Sequence, residues 1–210
     1  MLGLQTLAVS GLLMLAVNPV TCTVPQAPVI NVTPRTAAID YDFSQSSDAL
    51  TKKRTNTISP YAAGADTTTG GLRSDRPTMA MRVQWGTQTY PDLNIMCFWY
   101  KQIDITIDLS PKISVAKEFD DRGKCREAIL EHERKHVKPD REVINKYSLA
   151  IGKAVQNAVN TAGALGPYKV SDADAVQKKL QAHIQSAVSS QELLLYEEMS
   201  RRQNDVDSLE

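Results

Sequence analysis

Residues 125–158 read CREAILEHERKHVKPDREVINKYSLAIGKAVQNA. Counting by threes and fours from Cys125 reaches Ile129, His132, His136, Asp140, Val143, Tyr147, Ile151, Ala154 and Ala158, one stripe along a helix face. The period predicts a single long helix that starts after Asp120-Asp121-Arg122-Gly123 and ends near Ala162-Gly163. Gly166-Pro167 then breaks the chain, and Ser171 with Asp172 and Asp174 supplies the N-terminal cap of a second helix. Its expected stripe runs through Val176, Leu180, His183, Ala187, Gln191, Leu194, Glu198, Arg202 and Asp205. Two helices joined by a short connector are expected to lie antiparallel.

Upstream the period changes from helical to alternating. Met79 to Trp85, Ile103 to Leu109 and Ile113 to Ala116 alternate apolar and polar residues, as a strand with one buried face does. Tyr90-Pro91-Asp92 and Ser110-Pro111 supply turns between them. Val29 to Thr33 and Ala38 to Phe43, separated by Pro34, read as two edge strands. Residues 44–77 are rich in Ser, Thr, Gly, Ala and Asp without an apolar period, which predicts a long loop. The fold class expected is α+β, a small antiparallel sheet packed against a long two-helix hairpin.

With 210 residues the chain is long enough for one domain with a substantial core. Lysine plus arginine and aspartate plus glutamate are both 24, so no global field draws in nucleic acid. Leu7 to Val17 is an apolar run of signal-peptide length, too short for a membrane span, which takes about 20 apolar residues. Residues 1–23 are therefore expected to be a leader, residues 24–210 one exported domain, and its destination the periplasm or the medium. Cys97 and Cys125 would remain in an oxidising compartment, and a disulfide between them is expected.

Histidines and an aspartate on the core-facing stripe call for partners, because buried polar groups are costly without them. His132 and His136, four residues apart, project from one side of the helix and can share a zinc ion. Glu133 sits beside such a metal without ligating it and is placed to take a proton from water. An ordinary solvated helix face is the plainer alternative for so charged a stretch.

The segment Cys125-Arg126-Glu127-Ala128-Ile129-Leu130-Glu131-His132-Glu133-Arg134-Lys135-His136-Val137 is similar to the helix of secreted bacterial zinc proteases and resembles, in His132-Glu133-Arg134-Lys135-His136, the zincin metallopeptidases. The resemblance covers roughly residues 95–150 and is specific only at the motif. It implies His132 and His136 as metal ligands, Glu133 as general base, Zn²⁺ as cofactor and a peptide or protein as substrate. The third ligand departs from the extended zincin motif, since Pro139 and Glu142 stand where that motif has a glycine and a ligand. Asp140 is eight residues, about 12 Å, from His132 on a straight helix, so it is expected either to join through a kink at Pro139 or to orient a ligand histidine. Reflection of the first helix onto the second through Pro167 points to Glu198, with Glu197 its neighbour and Asp205 and Asp207 suiting a shifted register. His183 is expected to pack between the helices. The reading is a secreted zinc peptidase; the alternative is an exported envelope or interaction protein with a structural or vestigial metal site.

Overall fold

Two small β-sheets lie against two long helices in the computed structural model, which describes residues 20–53, 68–119, 123–162 and 165–208. In chain order the elements are β1 (Val29–Thr36), β2 (Asp40–Asp42), α1 (Ser47–Lys53), β3 (Gly71–Ser74), β4 (Thr78–Tyr90), β5 (Ile95–Leu109), β6 (Lys112–Val115), α2 (Gly123–Ala162), β7 (Leu165–Lys169) and α3 (Ala173–Ser208). The α+β class read from the two periods is thus the class of the fold. Most of the expected leader, residues 1–19, lies outside the described residues, as do residues 54–67 of the expected loop.

The first sheet is built on β5, which pairs with β1, β4 and β7. Its residues Ile103, Ile105, Ile107 and Leu109 are buried on one face while the residues between them are not, the consequence of the two-residue side-chain period. Each such side chain contributes about 1.5–3 kcal/mol by leaving water. The second sheet has the order β2-β6-β3. The sheets are mixed and not purely antiparallel as expected: β1 runs parallel to β5, and β2 parallel to β6. Alternation along a strand reports which face is buried and carries no information on direction. Val29 and Asp40 begin edge strands, each with a single neighbour among the described residues.

Two further corrections concern the loop and the cysteines. The stretch 44–77 is not one loop, since it contains α1 and β3. Ser46 caps α1 by accepting from the Ala49 N–H, and Leu50 is fully buried. The expected Cys97–Cys125 bond is replaced by Cys22–Cys97, and Cys125 is a free, exposed cysteine in the first turn of α2. Cys97 is buried near the start of β5, beside the β7 strand, where Cys22 meets it, whereas Cys125 is exposed at the start of α2. A leader that left this bond intact would have to end before Cys22. The disulfide is compatible with export, and no helix among the described residues is long and apolar enough to cross a membrane.

The main core brings the β5 face together with Val143, Ile144, Tyr147, Ile151 and Val155 of α2 and with Ile184, Val188, Leu195 and Met199 of α3. A smaller cluster places Ile113 and Val115 of β6 against Leu130 and Val137 in the first half of α2. That half of α2 is therefore clamped between the second sheet and the last turns of α3, and its polar residues face both. The stripe predicted for α3 is rotated from the real one: His183 and Leu194 are exposed, and Ile184, Val188, Leu195 and Met199 face the core instead.

Candidate metal centre

Helical spacing sets the first part of the site. His132 and His136 stand one turn apart on α2, and their Nε2 atoms are 3.2 Å from each other. Asp207, in the last turn of α3, brings Oδ1 to 3.1 Å from His136 Nε2 and 3.5 Å from His132 Nε2. These are the three His, Cys, Asp or Glu side chains that converge closely enough to hold one ion among the described residues. Donors bound tetrahedrally to zinc at 2.0–2.1 Å stand about 3.3–3.4 Å apart, so the three observed separations fit the edges of one face of that tetrahedron.

The protons on His136 sharpen the fit. Gln203 Nε2 donates to the His136 carbonyl oxygen at 3.2 Å and to Asp140 Oδ1 at 2.5 Å. With its amide nitrogen so engaged, Gln203 Oε1 is the acceptor that meets His136 Nδ1, which therefore carries the proton. Burial pushes the His136 pKa down, against the pull of Asp207, and so favours the neutral ring. In that state His136 Nε2 holds a lone pair aimed at a carboxylate oxygen 3.1 Å away. Two acceptors at that distance repel unless something positive lies between them, and a divalent cation meets that need.

Glu133 faces the second sheet from the same helix. It is 8% exposed, and its carboxylate accepts the backbone N–H of Arg73 on β3. Burial, the largest cause, lifts its pKa from an ordinary 4.5 to about 7; His132 and Arg73 pull it down, and Asp207 pushes it up. The approach of β3 needs Gly71, because a Cβ there would lie 2.7 Å from Glu133 Oε1 and 2.4 Å from Ile129 Cγ2. Behind the histidines, the Arg73 guanidinium is paired with Asp75 and, at 2.5 Å, with Asp140 Oδ2. Both carboxylates are shifted up by burial, Asp140 to about 7, although Arg73 opposes the shift.

The sequence-predicted residues divide accordingly. His132, Glu133 and His136 are brought together. Glu198 is not brought to them: it is tied to Lys146 and Arg202 on the flank of the helix pair, and those partners hold its pKa down. Asp140 does not join the histidines; it reaches His136 through Gln203. Asp207, expected only for a shifted register, stands beside the histidines where Glu198 was expected, and Gln203 and Arg73 were not foreseen. A signal for two of them exists in the sequence, because the true α3 stripe through Leu195 and Met199 continues by fours to Gln203 and Asp207. Comparison with protein-family models, curated proteins and solved structures finds no match for this chain.

Proposed function

We propose that this chain is a zinc-dependent peptidase, exported from the cell, in which His132, His136 and Asp207 hold the metal and Glu133 is the general base. The observation that carries the reading is the triangle of His132 Nε2, His136 Nε2 and Asp207 Oδ1, with sides of 3.1–3.5 Å, beside a buried glutamate. His132, His136 and Asp207 would hold the zinc ion, which when bound would supply Lewis acidity to a water beside Glu133. The chain's own part is proton movement and exclusion of solvent. Glu133, buried and held by the Arg73 N–H, is placed to accept a proton from the attacking water. It then returns that proton to the leaving nitrogen, so that it ends the cycle as it began. The Arg73 N–H holds the carboxylate in place during both transfers. Peptides as substrate class come from the resemblance of residues 125–137 to zincin metallopeptidases, and export from the apolar leader together with the Cys22–Cys97 bond.

Glu133→Gln tests the division of labour, since the amide keeps the size and loses the base. Zinc content is expected to stay at the wild-type level while cleavage of a mixed peptide library falls by roughly 10²-fold or more. Cleavage at the wild-type rate would remove Glu133 from the chemistry, and a wild-type protein that holds zinc but cleaves nothing would favour a structural metal in an interaction protein.

A further inference from the structure

We propose that Gln203, braced by Asp140 and Arg73, fixes the tautomer of His136 and so aims its Nε2 at the metal; the inference rests on the reading of His136 as a ligand. Gln203 is on α3 and His136 on α2, so the contact also sets the register of the two helices at the site.

The amide can sit only one way round. Reversed, Gln203 Oε1 would face the His136 carbonyl oxygen at 3.2 Å, a contact between two acceptors that no protonation of Asp140 relieves. Asp140 is itself oriented, because its other oxygen is 2.5 Å from the Arg73 guanidinium, which also pairs with Asp75. The chain Arg73, Asp140, Gln203, His136 thus runs from a fixed cation, through the Arg73–Asp140 ion pair and two hydrogen bonds, to a ring nitrogen. Its direction is set by the arginine, which can only donate. At the far end the ring must carry its proton on Nδ1 and leave Nε2 bare. Arg73 anchors the chain to β3, the same residue whose backbone N–H holds Glu133, so one strand position steadies both the ligand and the base. Metal-ligating histidines generally need such a partner, and its loss costs roughly 10–100-fold in metal affinity.

The test reads the tautomer directly. The chain has 3 histidines, so imidazole nitrogen resonances can be assigned by single substitutions. In metal-free wild type, His136 is expected to be protonated on Nδ1. Gln203→Leu is expected to lose that preference and to weaken zinc binding roughly 10–100-fold, while thermal unfolding reports whether the fold survives. The double change Asp140→Asn with Gln203→Glu reverses the polarity of the middle of the chain. The asparagine accepts from Arg73 and donates to the new carboxylate, which accepts from His136 Nδ1–H, so the tautomer is expected to be kept, while the oxygen that replaces Nε2 faces the His136 carbonyl oxygen and lowers the melting temperature. A residue that merely filled space would change the melting temperature and leave the tautomer alone. The proposal is overturned if wild-type His136 carries its proton on Nε2, or if Gln203→Leu folds with tautomer and affinity unchanged. An Nδ1–H tautomer that depends on Gln203, in a protein that binds no zinc, would uphold the positioning chain and defeat the metal reading.

Discussion

Gly71→Ala is a one-methyl perturbation whose cost can be worked from the contact between β3 and α2. The added Cβ would lie 2.4 Å from Ile129 Cγ2, 2.7 Å from Glu133 Oε1 and 3.1 Å from Glu133 Cγ, the first two closer than carbon is found to any neighbour. Either the Ile129 and Glu133 side chains move or β3 retreats from α2, and both responses disturb the Arg73 N–H bond to the Glu133 carboxylate. Overpacking of this kind costs about 1–3 kcal/mol, to be read from urea denaturation. Displacement of the base by about 1 Å is expected to lower peptide cleavage by roughly 10²-fold. The histidines and Asp207 are not touched, so zinc content should be unchanged. Gly152→Ala is the internal control: its Cβ would meet only Val32 Cγ2 at 3.7 Å, an ordinary contact, and alanine in place of glycine inside a helix stabilises by about 1 kcal/mol. The reasoning fails if Gly71→Ala is as stable and as active as wild type, or if it loses zinc while keeping its fold.

Two further expectations follow from the buried charges and the disulfide. Glu133 and Asp140 have folded pKa values of about 7, above their ordinary 4.5 and 3.8. Between those limits the folded state holds protons that the unfolded chain has released, so the stability of the metal-free protein falls as pH rises from about 4.5 to about 7. His136, held neutral by burial, tilts the other way below about pH 6.5 and offsets part of the trend. Denaturation at pH 5.5 and 7.5 should show a loss on the order of 2–3 kcal/mol, smaller in Asp140→Asn; a stability that rises over this range would contradict the buried carboxyls. Non-reduced, unfolded protein should titrate one free thiol, Cys125, and Cys97→Ser should cost up to about 4 kcal/mol because the bond closes a separation of 75 residues; two or more free thiols would refute the pairing.

What the sequence revealed depended on the range of each interaction. His132, Glu133 and His136 were legible because their geometry is set within one turn of one helix. The α2 stripe was legible from His136 to Ala158, where the helix buries one face continuously, and not at its start, where Cys125 is exposed. Asp207 was obscured by an assumption about the connector. A tight turn through Pro167 places Ser200 opposite Arg134, but the observed partners, Glu142 with Arg202 and Lys146 with Glu198, put the register about ten residues, nearly three turns, further on. The cause is β7: five residues of extended chain pair with β5 and carry the backbone about 16 Å before α3 begins, so the first turns of α3 lie beyond the end of α2. The α3 stripe was misread because His183 and Leu194 mimic a continuation from Leu180 that Ile184 and Leu195 in fact supply. Cys22 was lost to the pairing because its neighbours read as the edge of a leader.

Elemental analysis of the purified protein, beside its Asp207→Ala variant, bears most directly on the central claim, because Asp207 is the proposed ligand that the second helix brings to the two histidines. About one zinc per wild-type chain is expected, with binding weakened by at least roughly tenfold in Asp207→Ala and lost in the double change His132→Ala with His136→Ala. Metal-free wild-type protein of ordinary stability, or an Asp207→Ala variant that retains zinc at wild-type affinity, would contradict the account.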